Sequence, residues 1–460
     1  MFRIAITGGG IGGLFAALCI HHHCKSQRIK IDVYEQAQEY GEIGAGVGIG
    51  PNAATLVERL GLKEEALAIA GDREGIWLSF RRYDTGAEVL TIMNPTNRNT
   101  TQLPMHRAEF LELLVKAIQR RGAATLHTNK RCEGIEHDAE TRLTEIKDQD
   151  DTMLVKFADG TTASANLVIG ADGIHSVVRS HYIHDTAQYG EMVVYRGLCD
   201  MEKIQGQWDL PTYAALFMAP GKHFLTFPIS NNKILNVVGF VSTPLEKLGD
   251  VRESWTLAGD KSEVQEEFKD FAPVVQSVIR NMNAHPLKWV LFDRKSTPQW
   301  IFSGGKVALL GDAAHAMCPH QGMFLEAYDL GCRKRSRLTS REWILGAGAG
   351  QALEDGWIIG RSLREYFQAL ESPRPRSLQS CLHLYQSIRV ARAEKVQVTS
   401  RQAGDLYEMK IDEVAGLSYD EGLPIVKDKL KDRMQWIWNE DLDQVFDQAR
   451  THWQRPSALQ

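Results

Sequence analysis

A glycine cadence at the N-terminus constrains this chain more than any other feature. Arg3 to Thr7 is a short apolar run, and Gly8-Gly9-Gly10-Ile11-Gly12-Gly13 follows at once. An apolar helical stretch then continues to about Ile20, and a second strand-like run spans Ile29 to Glu35. Gly8-x-Gly10-x-x-Gly13 therefore stands where a strand turns into a helix. The first glycine permits the tight turn, the second lets the backbone approach a pyrophosphate, and the third lets the helix lie against the strand. The helix N-terminus then faces the anion. Glu35 ends the second strand 22 residues after Gly13, where a carboxylate can accept hydrogen bonds from a ribose diol. Such a β-turn-α-β unit calls for an α/β fold around a dinucleotide. The motif alone does not separate FAD from NAD.

The chain has 460 residues, 43% hydrophobic and 24% charged, enough for a large core and two or three lobes. A formal net charge of -5 offers no general attraction to phosphate backbones or anionic membranes, so a small ligand is expected and no nucleic acid. The seven cysteines (Cys19, Cys24, Cys132, Cys199, Cys318, Cys332, Cys381) are scattered without CxxC spacing. They read as reduced thiols, with neither a disulfide framework nor a metal site. No signal peptide or run of membrane-spanning length is visible, so a cytoplasmic protein with no transmembrane segment is expected, as monomer or homodimer.

Further along, Ala108 to Arg121 has helical spacing and stops at Gly122, and Met153 to Phe157 and Ala165 to Ile169 flank an Asp159-Gly160 turn as a hairpin. From about Val193 to Ser242 the pattern becomes strand-like, in pieces such as Ala214 to Met218, His223 to Phe227 and Leu235 to Val241. Helical character returns at Val264 to Met282, Lys306 to Leu310 is again a strand, and the chain beyond Leu353 reads as helical. The expected organisation is a Rossmann-like dinucleotide domain in two parts, 1–185 and 291–385. Between them lies an inserted, mainly β substrate domain, 186–290, and a helical region, 386–460, follows.

Two more segments set an Asp beside a glycine at the end of an apolar strand: Ile169-Gly170-Ala171-Asp172-Gly173-Ile174-His175-Ser176-Val177-Val178-Arg179, and Gly305 to Leu310 followed by Gly311-Asp312-Ala313-Ala314-His315. With the N-terminal fingerprint they resemble the three signatures of the class A FAD-dependent aromatic monooxygenases, in particular the salicylate hydroxylase-like members with the para-hydroxybenzoate hydroxylase fold. The resemblance extends over almost the whole chain, through Glu42 to Ala53, His106-Arg107-Ala108, Val194-Tyr195-Arg196-Gly197 and Tyr385-x-x-x-Arg389-x-x-Arg392-Ala393.

The resemblance implies that Gly8, Gly10 and Gly13 cradle the FAD pyrophosphate and that Glu35 binds the adenosine ribose. Gly46 and Gly48 would approach the flavin side, Arg107 would reach the pyrophosphate or ribityl chain, and Asp312 a ribityl hydroxyl. Asp172-Gly173 would touch both FAD and the passing nicotinamide, and Ala349 would belong to the glycine-rich loop facing the isoalloxazine ring. On the residues alone, Arg107 also reads as a solvated residue at a helix start and Asp172-Gly173 as a simple turn. His315 and His320 show no acidic partner and read as structural or loop histidines, and His21-His22-His23 as a solvated helix end.

The implied activity is hydroxylation of a phenolic or aromatic carboxylate compound with O2 and NADPH or NADH as co-substrate, through a flavin C4a-hydroperoxide. The cofactor carries that chemistry, while the protein orients the ring, excludes water and favours the phenolate. Arg196 is the catalytic candidate, because a guanidinium there could pair a carboxylate or phenolate; an exposed sheet arginine is the alternative. Tyr195, Phe217, Phe224 and Phe227 are candidates for an apolar substrate wall or for plain core. Some relatives place a tyrosine on this sheet, and Phe227 stands at the corresponding place here.

One segment departs from the family pattern. Pro319-His320-Gln321-Gly322 is followed by Met323 to Gly346, and only then by Ala347-Gly348-Ala349-Gly350-Gln351-Ala352-Leu353-Glu354-Asp355. Excising those 24 residues restores a continuous glycine-rich loop, and the segment carries a basic cluster, Cys332-Arg333-Lys334-Arg335-Ser336-Arg337, in an otherwise acidic chain. It reads as a translated, retained intron or as a true insertion, and a misplaced flavin loop is expected to impair hydroxylation. Two rival readings remain: a flavin halogenase, for which Trp436-Ile437-Trp438 offers a superficial motif, and a catalytically silent flavoprotein or interaction protein.

Overall fold

The computed structural model describes residues 1–40, 46–71, 75–94, 102–138, 152–248, 257–320, 347–373 and 375–454. Met323 to Gly346 lies outside the described residues, as does Cys332 within it.

The N-terminal unit forms a parallel sheet. Strand Phe2–Thr7 pairs with Ile29–Tyr34 on one side and Leu167–Gly170 on the other. Thr125–His127 extends one edge, and Val307–Leu309 with antiparallel Ile301–Phe302 extends the other, giving six strands. The expected hairpin arm Ala165 to Ile169 is corrected here. Thr162–Ala165 pairs with Met153–Phe157 as the hairpin, whereas Leu167–Gly170 runs beside Phe2–Thr7 in the main sheet. Asn166 makes the break, its side-chain Oδ1 accepting from the Arg3 amide at 2.8 Å. One apolar run therefore serves two sheets, and the second half carries Asp172-Gly173 to the same strand ends as Gly8.

Helix Ile11–His23 is buried along most of its length against helix Ala347–Leu370. The approach is close because the second helix carries glycines at the crossing. A Cβ on Gly360 would stand 3.0 Å from the Cys19 backbone, and one on Gly356 would stand 3.1 Å from Ala16. The histidines ending the first helix are less solvated than expected: His23 stacks edge-on to Trp357 at 4.5 Å, and burial drives its pKa down to about 3.

The second sheet has eight strands, in the order Leu257–Ala258, Leu287–Asp293, Gln188–Asp200, Ile234–Ser242, Lys222–Ile229, Ala215–Ala219, Ile76–Arg82, Glu88–Met93. All neighbours are antiparallel except Ala215–Ala219 with Ile76–Arg82. The last two strands come from the stretch grouped by sequence with the FAD-binding segment, so the expected boundary at 185 does not separate the two sheets. The expected helix Val264 to Met282 divides into Lys261–Glu267 and Pro273–Asn281, because a proline suits a first helical turn but not an interior.

Alternation along these strands sorts their side chains into two cores. Tyr195, Phe217 and Phe224 point to the face covered by Lys261–Glu267 and Pro273–Asn281. Val194, Leu225, Phe227, Val238, Phe240 and Trp289 point to the other, beneath Met317 and helix Leu378–Tyr407. Three of the four aromatics named as a substrate wall are thus core on the far side, and only Phe227 faces the first sheet. Leu378–Tyr407 bridges the two sheets: its Tyr385 hydroxyl donates to Leu309 O at 2.8 Å, and its Tyr407 hydroxyl donates to His320 O at 3.1 Å. Among the described residues no helix is long and apolar enough to cross a membrane.

Candidate functional site

The N-terminal turn has the geometry its glycines demand. Gly8 adopts φ 101°, and a Cβ there would sit 2.2 Å from the Ala171 carbonyl oxygen. A Cβ on Gly13 would meet Gly8 O at 2.1 Å, so the helix could not start so close to the strand with any other residue. Gly10 is the N-cap of helix Ile11–His23. Glu35 accepts the Gly9 amide at 2.7 Å and the Ala37 amide at 2.8 Å, which fixes its carboxylate against the turn. A narrow cleft beside it is lined by Thr7, Gly8, Tyr34, Glu35, Lys130 and Asp172.

Asp172 faces that cleft, but its own oxygens are engaged. One accepts from Ser176 Oγ at 2.5 Å, and the other accepts the Val177 and Val178 amides at 2.8 and 3.2 Å. The carboxylate caps the short helix Val177–Tyr182 and so anchors the turn that ends at Gly173, where φ is 76°. Arg179 of the same motif is buried, donating to Ala313 O and Ala314 O at 3.0 Å and pairing with Asp185 at 2.8 Å. The second and third motifs are tied to each other directly.

Asp312 begins the turn after strand Val307–Leu309, and its Oδ1 is a buried acceptor with no partner among the described residues. Burial pushes its pKa up to about 6, against the pull of His315 and Arg107. Arg107 is 1% exposed, not a solvated helix start. It follows strand Leu103–His106, which pairs with Gly46–Ile49 so that Gly46 lies opposite His106 and Gly48 opposite Pro104. Ala349 is buried in the first turn of Ala347–Leu370, its side chain in the same core as Ala53. An orphaned carboxylate oxygen, a buried guanidinium and a glycine turn at the strand ends fit a polyhydroxylated, pyrophosphate-bearing group such as FAD.

Across from these strand ends stands Arg196, fully buried and therefore not an exposed sheet arginine. Its Nε and Nη2 donate to Asn236 Oδ1 at 3.2 and 3.1 Å, and Nη2 also donates to Gly46 O at 3.1 Å. The Gly46 amide donates to the same Asn236 oxygen at 3.2 Å. Arg196 thereby ties the eight-stranded sheet to strand Gly46–Ile49. Three buried donors on this face keep no acceptor among the described residues: Arg196 Nη1, Asn236 Nδ2 and Trp289 Nε1. The guanidinium lies 5.8 Å from the Trp289 ring centroid, and burial, then Arg107, pulls its pKa well down.

With this geometry in view, the relatives decide the family. The sequence profile described as FAD binding domain matches residues 1–325. A salicylate hydroxylase of Pseudomonas putida is 31% identical over 97% of this chain and 94% of its own length. The chain is an FAD-dependent monooxygenase of this family. A 6-methylsalicylate 1-monooxygenase of Aspergillus terreus is 31% identical over 96% of the monooxygenase and 90% of itself. A solved structure described as a salicylate hydroxylase substrate complex superposes with TM-score 0.76 at 28% identity, covering 100% of this chain and 99% of that one. The halogenase reading is not favoured: Trp438 is a core residue edge-on to Trp77 at 5.1 Å, and Trp436 lies under Lys395 at 4.0 Å.

Two constellations in the monooxygenase escaped the sequence reading. In the first, Arg389 bonds Asp355 at 2.7 Å and Glu354 at 2.5 Å, and Arg392 bonds Glu354 at 2.7 Å, all four side chains being buried. Asp355 also accepts from the Gly311 amide at 2.9 Å and bonds His315 at 2.6 Å, so the network fixes the turn that carries Asp312. His315 does have an acidic partner, 40 residues away in sequence. The arginines stand in Tyr385-x-x-x-Arg389-x-x-Arg392, whose four-plus-three spacing puts them on one helix face and was the available signal.

The second is a buried pair on the face that carries Arg196. His223 Nδ1 lies 3.0 Å from Glu408 Oε1, and its ring stacks on Phe240 at 4.1 Å and meets His320 at 5.3 Å. His223 Nε2 and His320 Nδ1 have no partner among the described residues.

Proposed function

We propose that the chain hydroxylates a phenolic or aromatic carboxylate compound with O2 and NADH or NADPH, its flavin held by Gly8, Gly10, Gly13, Glu35, Arg107 and Asp312. Bound FAD supplies the redox chemistry and oxygen activation. The protein's part is to hold the adenine-side diol at Glu35, give the ribityl chain an acceptor at Asp312, and keep Gly46 in place through Arg196 and Asn236 and Gly48 through its strand partner Pro104. Asp172-Gly173 shapes the turn beside the cofactor through its helix cap, and Ala349 sits in the first turn of helix Ala347–Leu370, within the glycine-rich stretch.

One observation carries the substrate class. Arg196 Nη1, Asn236 Nδ2 and Trp289 Nε1 are donors, all buried, on one face of the sheet with no acceptor among the described residues. Buried donors without partners cost on the order of 1–3 kcal/mol each, and an anionic oxygen satisfies them. A carboxylate on an otherwise flat, apolar ring matches that donor set and the surrounding Phe227, Val238 and Leu225 wall.

The test uses FAD-loaded chain, with and without Met323 to Gly346, and follows NADH and NADPH oxidation with product mass. Salicylate, benzoate and phenol are the first substrates. Aromatic-dependent oxidation with an oxygenated product is expected, and Arg196→Met should raise KM for the carboxylates about tenfold or more while affecting phenol less. A stoichiometrically flavinated protein that consumes NAD(P)H with no aromatic dependence in either form, across a wider phenol panel, would make it a silent flavoprotein instead.

A further inference from the structure

The His223–Glu408 pair joins two parts of the chain that sequence keeps far apart. His223 is on strand Lys222–Ile229, and Glu408 directly follows helix Leu378–Tyr407. Both side chains are fully buried. A buried carboxylate persists in charged form only when its surroundings hold it. Burial alone would raise the Glu408 carboxyl, but the hydrogen bonds from His223 and the Ser242 hydroxyl and the charge of Lys410 at 2.9 Å overcome this and hold it below the usual carboxylate range. The imidazole moves the other way, burial outweighing Glu408 and lowering its pKa. The pair is therefore carboxylate and neutral imidazole.

That charge state assigns the tautomer. An ionised Glu408 only accepts, so Nδ1 carries the hydrogen and donates to it, which leaves a lone pair on Nε2. Nε2 is buried and unpartnered among the described residues, and so is Nδ1 of His320, whose ring stands 5.3 Å away. Among the described residues the groups around the imidazole are Glu408 and Lys410 beyond the helix end, Tyr407 on the helix at 5.5 Å, His320 on the loop after Asp312, and Phe240 and Ser242 on the neighbouring strand. The loop residue His320 places this pair where the flavin-side strand ends meet the sheet. Arg196 lies on the same face: it pairs with Val238, Val238 pairs with Leu225, and Leu225 is two residues from His223. One part of the face thus offers donors without acceptors and another offers an acceptor without a donor.

We propose that His223 Nε2 accepts the proton of the substrate's ring hydroxyl, with Glu408 as the positioning residue that fixes the imidazole tautomer. The O–H bond of the phenol breaks as the Nε2–H bond forms. Its electron pair stays on the oxygen as phenolate, and the resulting imidazolium is held by Glu408 until the proton is returned. A base oriented by a buried carboxylate on its far nitrogen is a general way to make an imidazole competent. No aligned tyrosine is needed on this sheet, which accounts for Phe227. The assignment rests on the hydroxylase reading above and narrows its substrates to rings bearing a free hydroxyl.

The experiment compares FAD-loaded wild type, Glu408→Gln, His223→Gln and the double variant, with Glu408→Asp as the conservative control, each checked for full flavin content. Salicylate and benzoate are titrated by perturbation of the flavin absorbance from pH 5 to 9, and salicylate-dependent NAD(P)H oxidation is followed over the same range. We expect each single substitution to weaken salicylate at least tenfold, to leave benzoate within about twofold, and to lower kcat with a displaced acid limb of the pH profile. The double variant should be no worse than His223→Gln, and Glu408→Asp should recover part of the loss. Equal loss of both ligands, additive effects, or an unchanged pH profile in an active Glu408→Gln would overturn the proposal and leave the hydroxylase reading standing. A wild type that binds neither ligand would overturn it as well, while the wider phenol panel judges the parent reading separately.

Discussion

At the scale of single residues, the candidate site is defined by buried polar atoms that have no partner among the described residues. Asp312 is the sharpest case, because burial lifts its pKa to about 6 from 3.8. In the flavin-free chain a carboxyl so raised binds its proton more tightly folded than unfolded. It therefore favours the fold at acid pH and opposes it as pH rises through about 6. On the proposed contact between Asp312 and the ribityl chain, flavin affinity should have the opposite slope, since a hydroxyl donates best to the ionised form. FAD binding, read by quenching of flavin fluorescence, should tighten between pH 5 and 7 in wild type. In Asp312→Asn it should be weaker by about ten- to a hundredfold, the value of a charged hydrogen bond, and flat over that range.

At the scale of elements, close approach decides the arrangement of the cofactor lobe. Helices Ile11–His23 and Ala347–Leu370 meet where Gly356 and Gly360 leave room for Ala16 and Cys19 backbone. Gly360→Val would gain a little helix propensity, a few tenths of a kcal/mol. It would also push a branched side chain into backbone atoms that cannot rotate away, at about 1–3 kcal/mol. The second effect wins, so the thermal midpoint should fall by several degrees, as differential scanning fluorimetry would record. An unchanged midpoint would show that the helices have slack at the crossing. On the proposal that Ile11–His23 presents its N-terminus to the cofactor, FAD affinity should fall with it.

At the scale of the whole molecule, helix Leu378–Tyr407 holds the two sheets to each other. Its first half reaches the parallel sheet through Tyr385, its middle carries Arg389 and Arg392 into the charge network, and its end delivers Glu408 to His223. Breaking a buried network by removing one partner costs more than the network contributes, because the remaining charges are stranded. Arg389→Met should therefore lower stability by about 3–5 kcal/mol in denaturant unfolding. Asp355 loses its guanidinium, which loosens the Gly311–Asp312 turn, so the variant should also shed FAD. A variant with wild-type stability and flavin content would show that Arg392 alone suffices.

The sequence by itself determined the N-terminal elements and, through the order of its three motifs, the cofactor. The strand, the glycine turn, the helix and Glu35 are encoded within 35 residues, and neither the turn at Gly8 nor the approach at Gly13 admits a side chain. The Asp172 and Asp312 motifs are equally local. Their order was enough to place the chain in a flavoprotein family, although Asp172 proved to cap its own helix. Only the tertiary structure decided which side chains share the site. Which face of a strand meets the cofactor lobe depends on the other sheet and on the late helix, so Phe227 was indistinguishable in sequence from Phe217 and Phe224. Likewise the partnerships that set protonation span the chain: Gly46 with Arg196 is 150 residues apart, and His223 with Glu408 is 185. Local sequence specifies backbone conformation, whereas charge states and empty hydrogen-bonding positions are fixed by burial, and burial exists only once the lobes have come together.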